Sequence, residues 1–175
     1  WLANIWPDRV GWKRQTPADR YPTALLTNTL NMESFEFNLR TCLVFGVGAI
    51  DRVGTISKEL GLTRPLLVAD KGLLEAGHVE RVVALLRDAH LDVVPFHEFD
   101  VNPDSEMVQR GAVFAKSQKV DSIIGLGGGS SLDCAKGINF ILSNGGTMAD
   151  YCGYGKAVKP MLPMIALPTT AGTGS

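Results

Sequence analysis

The sequence lacks several features by which protein classes are recognised, beginning with paired cysteines. Its 175 residues include only three cysteines, and no two of them form a CxxC pair: Cys42, Cys134 and Cys152. An odd number at these wide spacings does not suit a disulfide framework or a structural zinc site. We therefore expect reduced thiols that serve as small packing residues.

Charge of one sign and long apolar runs are also scarce. The formal net charge is −1 and no basic run occurs, so the sequence lacks the electrostatic footprint of a nucleic-acid-binding protein. No apolar run reaches the length of about 20 residues that a membrane-spanning helix needs. The N-terminus, WLANIWPDRVGW, lacks the basic start and apolar core of a signal peptide. We expect a cytoplasmic protein with no nucleic-acid and no membrane partner.

Residues 1–31 differ from the rest of the chain. All three tryptophans lie at its very start, and its prolines interrupt any helical period. We expect residues 1–31 to be a disordered extension of unclear origin, and residues 32–175 to form one domain. The chain has no initial Met and stops at Ser175 just after a glycine-rich segment, so we expect it to be part of a longer protein.

Beyond this extension, strand-like apolar runs alternate with helical stripes. The predicted strands are Thr41–Phe45, Pro65–Ala69, Asp92–Phe96, Ser122–Leu126 and Met164–Leu167. Pro95 indicates an edge strand, and Gly61 is expected to end the first helix. This alternation predicts an α/β fold, a Rossmann-like parallel sheet with helices on both faces.

The most informative stretch runs from Val120 to Asn144, VDSIIGLGGGSSLDCAKGINFILSN. A short apolar run leads into Gly127–Gly129, then Ser130 and Ser131, and then a helical pattern. At a helix N-terminus, backbone N–H groups lack partners and the dipole is positive, so an anion fits there. Glycines let the backbone approach a phosphate, and serine hydroxyls can cap the helix or donate to phosphate oxygens. An ordinary tight strand–helix turn is the alternative.

Polar residues follow other predicted strands as well. Asp70 comes directly after the second strand, where a carboxylate can accept hydrogen bonds from a ribose diol or can cap the following helical turn. Asn102 is expected at the N-cap of a helix, with Pro103 at its first position. The segment Pro168–Ser175, PTTAGTGS, follows the last strand. Since parallel sheets bind ligands at the carboxyl ends of their strands, these elements predict a nucleotide-type site.

Two motifs carry a resemblance to a known family. GGGSSLDCAK (Gly127–Lys136) and PTTAGTGS (Pro168–Ser175) resemble the iron-containing, or group III, alcohol dehydrogenases. The resemblance covers roughly Phe37 to Ser175, which corresponds to the amino-terminal nucleotide-binding domain of that family. It implies a dehydroquinate synthase-like fold, whose second, helical, metal-binding domain is missing from this sequence.

The resemblance also implies roles for particular residues. Asp70 matches the acidic residue that meets the adenosine ribose and favours NAD, although NADP remains possible. Ser131 stands where many members of the family have a proline. The implied cofactor contacts are Asp70, Asn102, Gly128, Gly129, Ser130 and Ser131 at the pyrophosphate loop, Asp133 on the nicotinamide side, and Thr169, Thr170 and Thr173 around the cofactor.

The activity implied by the resemblance is hydride transfer between an alcohol and its aldehyde or ketone. The family uses NAD(P) and Fe²⁺ or another divalent metal, held by one Asp and three His that would lie beyond Ser175. No catalytic residue and no metal ligand is therefore assigned in this segment, which alone would be inactive. His78, His90 and His97 are expected to be surface or capping histidines. The full-length protein is expected to be a homo-oligomer.

Two alternatives remain open. One is a relative of dehydroquinate synthase or glycerol dehydrogenase, folds that share the glycine turn. The other is a nucleotide-binding module without catalysis. An Asp and three His at helical spacings beyond Ser175 would favour the dehydrogenase.

Overall fold

The computed structural model describes residues 41–99, 103–153 and 155–172. Residues 1–31, which the sequence analysis expected to be a disordered extension, lie outside the described residues. The chain divides into two compact units, and all the described helices and strands belong to the first, which contains residues 46–175. In the first unit the strands are β1 (Pro65–Val68), β2 (Val94–Phe96), β3 (Ser122–Gly127) and β4 (Met164–Pro168). The α-helices are α1 (Val53–Glu59), α2 (Lys71–Glu75), α3 (His78–Asp88), α4 (Ser105–Ser117) and α5 (Gly129–Asn144), with 3₁₀ turns at Ala49–Arg52 and Met148–Tyr151.

The four strands form one parallel sheet in the order β2-β1-β3-β4. From β1 the chain moves outward to β2, and it then returns across β1 to place β3 on the other side. The direction of winding therefore reverses between β1 and β3, and this reversal is the topological switch point of the sheet. The predicted parallel α/β architecture is confirmed.

Both faces of the sheet are covered by helices. On one face Leu66, Val68 and Ile123 pack with buried residues of α4 and α5, such as Ala112 and Ile138. The opposite face, made by the alternating residues of the same strands, packs against α1 and α3. All residues of β1 and β3 are buried, as expected for central strands of a sheet covered on both sides.

Two details of the sequence-based prediction are confirmed by the backbone. Pro95 is exposed in the edge strand β2, where its missing N–H leaves no gap in an inner ladder. Gly61 ends α1 with φ of 73°, and its N–H donates to the Lys58 carbonyl at 2.9 Å. The Leu62 N–H donates to the Ser57 carbonyl at 2.9 Å, which completes a Schellman motif.

The prediction of a strand at Thr41–Phe45 is wrong. These residues have no regular secondary structure, and Leu43 and Phe45 are 79% and 95% exposed. An apolar run becomes a strand only where a neighbour supplies backbone partners, and none of the described strands pairs with this segment. The sheet of the described residues consequently has four strands, one fewer than predicted.

The predicted N-cap of the helix after β2 is also wrong. Helix α4 begins at Ser105, and its N-cap is Asp104, whose carboxylate accepts a hydrogen bond from the Met107 N–H at 2.8 Å. An aspartate caps as well as an asparagine and adds a negative charge beside the positive end of the helix dipole. Asn102 itself lies outside the described residues.

The three cysteines do not share one role. Cys134 lies on the buried face of α5, and burial raises the pKa of its thiol to about 12. It is the small packing residue that the sequence analysis expected. Cys42 and Cys152 are exposed, so that expectation is wrong for them.

A buried asparagine holds the chain that enters β4. Asn139 is 1% exposed, and its Nδ2 donates to the Leu162 carbonyl at 2.9 Å. Its Oδ1 accepts from the Leu162 N–H at 3.0 Å and from the Ser143 hydroxyl at 3.0 Å. The side-chain amide of Asn139 thus pairs with the N–H and C=O of Leu162 as a neighbouring strand would. It links the segment just before the edge strand β4 to α5.

Replacing this asparagine tests how much the contact stabilises the fold. We expect Asn139→Ala to lower the free energy of unfolding by about 1–3 kcal/mol, because the Leu162 carbonyl loses its partner and the Leu162 N–H keeps only the longer bond to the Ser143 hydroxyl, at 3.3 Å. The matched control is Asn144→Ala, whose side chain bonds to Lys159 at an exposed site. Urea unfolding of both variants should give the larger loss for Asn139→Ala, and equal losses would contradict the buried-clamp interpretation.

Also at the amino-terminal edge of the sheet, Asp121 joins the segments that enter β1 and β3. Its carboxylate accepts from the N–H groups of Thr63 at 2.9 Å and Arg64 at 3.0 Å, and from the Ser122 hydroxyl at 2.6 Å. The Thr63 hydroxyl donates to it as well. Burial is the largest single effect and raises the pKa of Asp121. The hydrogen bonds together lower the pKa by more than burial raises it, so the pKa lies below the ordinary value of 3.8.

The lowered pKa of Asp121 predicts an acid-sensitive contribution to stability. This contribution is complete above the unfolded-state pKa and is lost as the pH falls through the folded-state pKa. The difference in unfolding free energy between the wild type and Asp121→Asn should therefore be larger at about pH 7 than at about pH 3. Urea titrations at both pH values measure it, and a difference that does not change with pH would refute the prediction.

Candidate nucleotide-binding site

The carboxyl ends of β1 and β3 meet at the switch point, and three polar segments converge beside it. Asp70 follows β1, Gly128 follows β3, and Thr169 and Thr170 follow β4. Parallel α/β sheets bind their ligands in the crevice at this position, because the adjacent connections leave in opposite directions there. The sheet order thus brings together segments that lie far apart in the sequence.

Asp70 and Ser131 make a reciprocal contact across the switch point. The Ser131 hydroxyl donates to the Asp70 Oδ2 at 2.9 Å, and the Asp70 N–H donates to the Ser131 Oγ at 3.3 Å. The Asp70 Oδ1 accepts from the Leu73 N–H at 3.1 Å and so caps α2. Both oxygens of the carboxylate are held, while the residue itself is only partly buried.

Gly127 makes room for this contact. Its φ is +139°, a conformation that favours glycine, and a Cβ at this position would lie 2.6 Å from the Ser131 Oγ and 2.7 Å from the Leu73 Cδ1. A side chain here would displace the serine from Asp70. Gly125, in the middle of β3, allows close packing in the same way, because its Cβ would lie 3.0 Å from that of Ala135 in α5.

The two glycine- and hydroxyl-rich loops lie side by side. The Thr169 N–H donates to the Gly127 carbonyl at 2.9 Å, which extends the β3–β4 ladder by one residue. A Cβ on Gly128 would lie 3.3 Å from the Thr170 Oγ1. Thr169 and Thr170 are exposed. The described parts of both motifs are therefore close enough to contact one small molecule.

Helix α5 presents its N-terminus to this place. Its N-cap, Gly128, has extended backbone angles (φ −79°, ψ −168°) and no side-chain cap. The first-turn N–H groups of a helix lack intrahelical acceptors, and the dipole of this 16-residue helix adds partial positive charge. A cradle of backbone amides with no Cβ over it suits the two phosphate groups of a dinucleotide.

The other residues assigned from the sequence lie in different positions. Ser130 and Asp133 are half-buried in the first two turns of α5, and both make interactions within the protein. Gly129 is buried in the same turn. Asn102 and Thr173 are outside the described residues, so their assignments stay predictions.

The histidines follow the expectation only in part. His78 and His90 are exposed, as expected for surface residues. His97, directly after β2, is half-buried instead, and its Nδ1 is buried without a hydrogen-bond partner among the described residues. Within the same residues no group of three or more His, Cys, Asp and Glu side chains is arranged to hold a metal ion. No helix in the described ranges is long and apolar enough to cross a membrane.

Sequence reasoning missed the link between Ser131 and Asp70. The two residues are 61 positions apart, and neither neighbourhood signals the other. The only available signal was topological, since a sheet order that placed the second and fourth predicted strands side by side would have brought the two together. The local pattern instead left the Ser131 hydroxyl as a helix cap or a donor to a phosphate, and the resemblance placed it in the pyrophosphate loop.

The profile of one protein family matches most of the chain. This family is the iron-containing alcohol dehydrogenases, and the match covers residues 41–175. Among individual relatives, the NAD-dependent methanol dehydrogenase of Bacillus methanolicus is 40% identical over 132 residues, which are 75% of this chain and 35% of the relative.

Solved structures give the same picture. NADH-dependent butanol dehydrogenase A of Thermotoga maritima superposes with a TM-score of 0.75 at 30% identity, over 82% of this chain and 36% of its own. Sulfoacetaldehyde reductase of Bifidobacterium kashiwanohense, solved in complex with NAD⁺, gives a TM-score of 0.70 at 31% identity, over 81% and 38% of the two chains. The chain thus spans little more than a third of the length of these relatives.

A substitution at Gly127 tests the geometry of the switch point. We expect Gly127→Ala to lower the free energy of unfolding by about 2–4 kcal/mol, because strain at positive φ adds to overlap with Ser131 and Leu73. The control is Gly145→Ala at the end of α5, where φ is +84° and no atom lies within 4 Å of an added Cβ. The control should cost only the backbone strain at its φ of 84° and ψ of −165°, about 1–3 kcal/mol, and should lose less stability than Gly127→Ala. Equal losses by urea unfolding would show that the overlap is relieved without cost.

Proposed function

Because the chain belongs to the iron-containing alcohol dehydrogenase family, we propose that it forms the NAD-binding part of an enzyme that interconverts an alcohol and its aldehyde or ketone. The observation that carries this proposal is the meeting of Asp70 with the N-terminus of α5 at the switch point. One group suits a ribose and the other suits a diphosphate, and they occur at adjacent strand ends.

Asp70 is the proposed contact of the adenosine ribose. Each carboxylate oxygen has two lone pairs, so after the bonds from Ser131 and Leu73 both oxygens can still accept from the ribose diol. Its negative charge would repel the 2′-phosphate of NADP at contact distance. Asp70 therefore favours NAD over NADP.

The diphosphate is assigned to the first turn of α5. Gly128 and Gly129 bring the backbone close to the ligand, and the helix dipole supplies positive charge at no cost in side-chain ordering. Thr170 beside Gly128 adds an exposed hydroxyl that can donate to a phosphate oxygen. Asn102, Ser130, Asp133, Thr169 and Thr173 complete the proposed set of cofactor contacts.

When bound, NAD would supply or accept the hydride, and a divalent metal such as Fe²⁺ would provide Lewis-acid chemistry at the substrate oxygen. We propose that the metal ligands lie in the part of the relatives that this chain does not cover. The task of the present residues is to bind and orient the cofactor. The substrate is assigned only as an alcohol–carbonyl pair, and a cytoplasmic homo-oligomer is the proposed setting.

Cofactor selectivity tests this proposal. In the full-length protein, Asp70→Gly should weaken NAD binding about tenfold or more, because a charge-assisted hydrogen bond is worth about 1.5–3 kcal/mol. The same change should strengthen NADP binding by removing the repulsion. Asp70→Asn is a second variant that retains a capping side chain for α2 and removes only the charge. Isothermal titration with both cofactors measures the two dissociation constants.

The control is Asp88→Gly, which removes an exposed aspartate at the end of α3 and should leave both dissociation constants unchanged. Wild-type protein that binds neither cofactor would contradict the proposed function. Wild-type protein that binds NAD, with no shift towards NADP in either Asp70 variant, would contradict only the role of Asp70.

A further inference from the structure

We propose that Ser131 is a positioning residue for cofactor selectivity, which orients the Asp70 carboxylate and does not itself contact the cofactor. This inference rests on the proposed function, since it requires Asp70 to meet the adenosine ribose. It revises the expectation that the Ser131 hydroxyl donates to a phosphate.

The first argument is the single proton of the hydroxyl. A serine side chain can donate one hydrogen bond, and that of Ser131 goes to the Asp70 Oδ2 at 2.9 Å. The oxygen also accepts from the Asp70 N–H at 3.3 Å. A bond from Ser131 to a phosphate oxygen would therefore have to break the contact with a carboxylate, which is itself a charge-assisted hydrogen bond.

The second argument is burial. Ser131 is 0% exposed, whereas Asp70 is only partly buried. A ligand that enters from solvent can reach the carboxylate, but the serine lies behind it. Gly127 creates the space for this arrangement, because any Cβ there would lie 2.8 Å from the Cβ of Ser131.

The third argument concerns orientation. The Leu73 N–H holds the Oδ1 of Asp70 at 3.1 Å, and Ser131 holds the Oδ2, so the plane of the carboxylate is fixed at two points. With only the first bond, the group can turn and must be ordered again when the ribose binds. Ordering one side chain costs about 0.5–1.5 kcal/mol, which corresponds to an affinity loss of about two- to tenfold.

The same bond connects two parts of the proposed site. Ser131 belongs to the first turn of α5, whose amides are the proposed diphosphate cradle, while Asp70 belongs to the ribose subsite. The bond fixes the distance between them, as a rigid dinucleotide site requires. Selectivity for NAD would then depend on a pair of residues from two different strand ends.

The test is a double-mutant cycle in the full-length protein, with dissociation constants for NAD and NADP from isothermal titration. Ser131→Ala should weaken NAD binding about two- to tenfold, change NADP binding less, and so lower the ratio of the two affinities. In an Asp70→Gly background the same change should have no further effect on NAD. Ser131→Cys keeps an unbranched side chain that is somewhat larger and is a weaker donor, and it should lie between the wild type and Ser131→Ala.

The control is Ser117→Ala, an exposed serine at the end of α4 that bonds only within its own turn, to the Phe114 carbonyl. It should leave both affinities unchanged. Equal losses for NAD and NADP, or a loss that persists in the Asp70→Gly background, would overturn the proposal and indicate a direct phosphate contact. Undiminished NAD affinity in Ser131→Ala would also overturn it. A wild-type protein that does not bind NAD would instead remove the proposed function on which it rests.

Discussion

The parallel pairing of β1 with β3 is the constraint on which the rest of the structure depends. It aligns Val68 with Gly125, and so places Asp70 and the turn after Gly127 at one edge of the sheet. Every residue of both strands is buried, so a shift in register by one residue would turn their apolar side chains to the wrong helices. Packing of the apolar side chains on both faces of the sheet therefore determines the strand register. The register in turn determines which polar groups lie together at the carboxyl edge.

Three glycines, which have no side chain, are as important for the site as its polar residues. Gly125 lets α5 approach β3, and Gly127 leaves the space that the hydroxyl of Ser131 crosses to reach Asp70. Gly128 then leaves the amides of the helix terminus uncovered beside Thr170. The three glycines act on packing, on side-chain contact and on ligand access in turn. Gly125 and Gly127 belong to the buried strand β3, and Gly128 is the N-cap of α5.

The sequence predicts those elements whose signal is local. The apolar run Ser122–Leu126, the glycines after it and the helical stripe that follows are all found as predicted, because strand, turn and helix each impose their own period. Thr41–Phe45 has the same apolar character but no strand partner among the described residues, and composition does not encode a partner. Asn102 and Asp104 are both good caps two residues apart, and only the backbone decides between them. The Ser131–Asp70 bond depends on strand order, which alternation of elements leaves open.

The hydrogen bond from the Ser131 hydroxyl, in the first turn of α5, to the Asp70 carboxylate after β1 bears on the proposed selectivity for NAD over NADP. An aspartate alone at a strand end has a mobile carboxylate, and its preference for a diol over a phosphate ester is weakened by the ordering that binding requires. A buried donor behind it removes that cost without touching the ligand. A proline at position 131 would have no hydroxyl to donate and could not supply this support. If Asp70 contacts the ribose as proposed, discrimination between the two cofactors depends on the residue at 70 together with the one at 131, and a change at Ser131 would alter it even when Asp70 is retained.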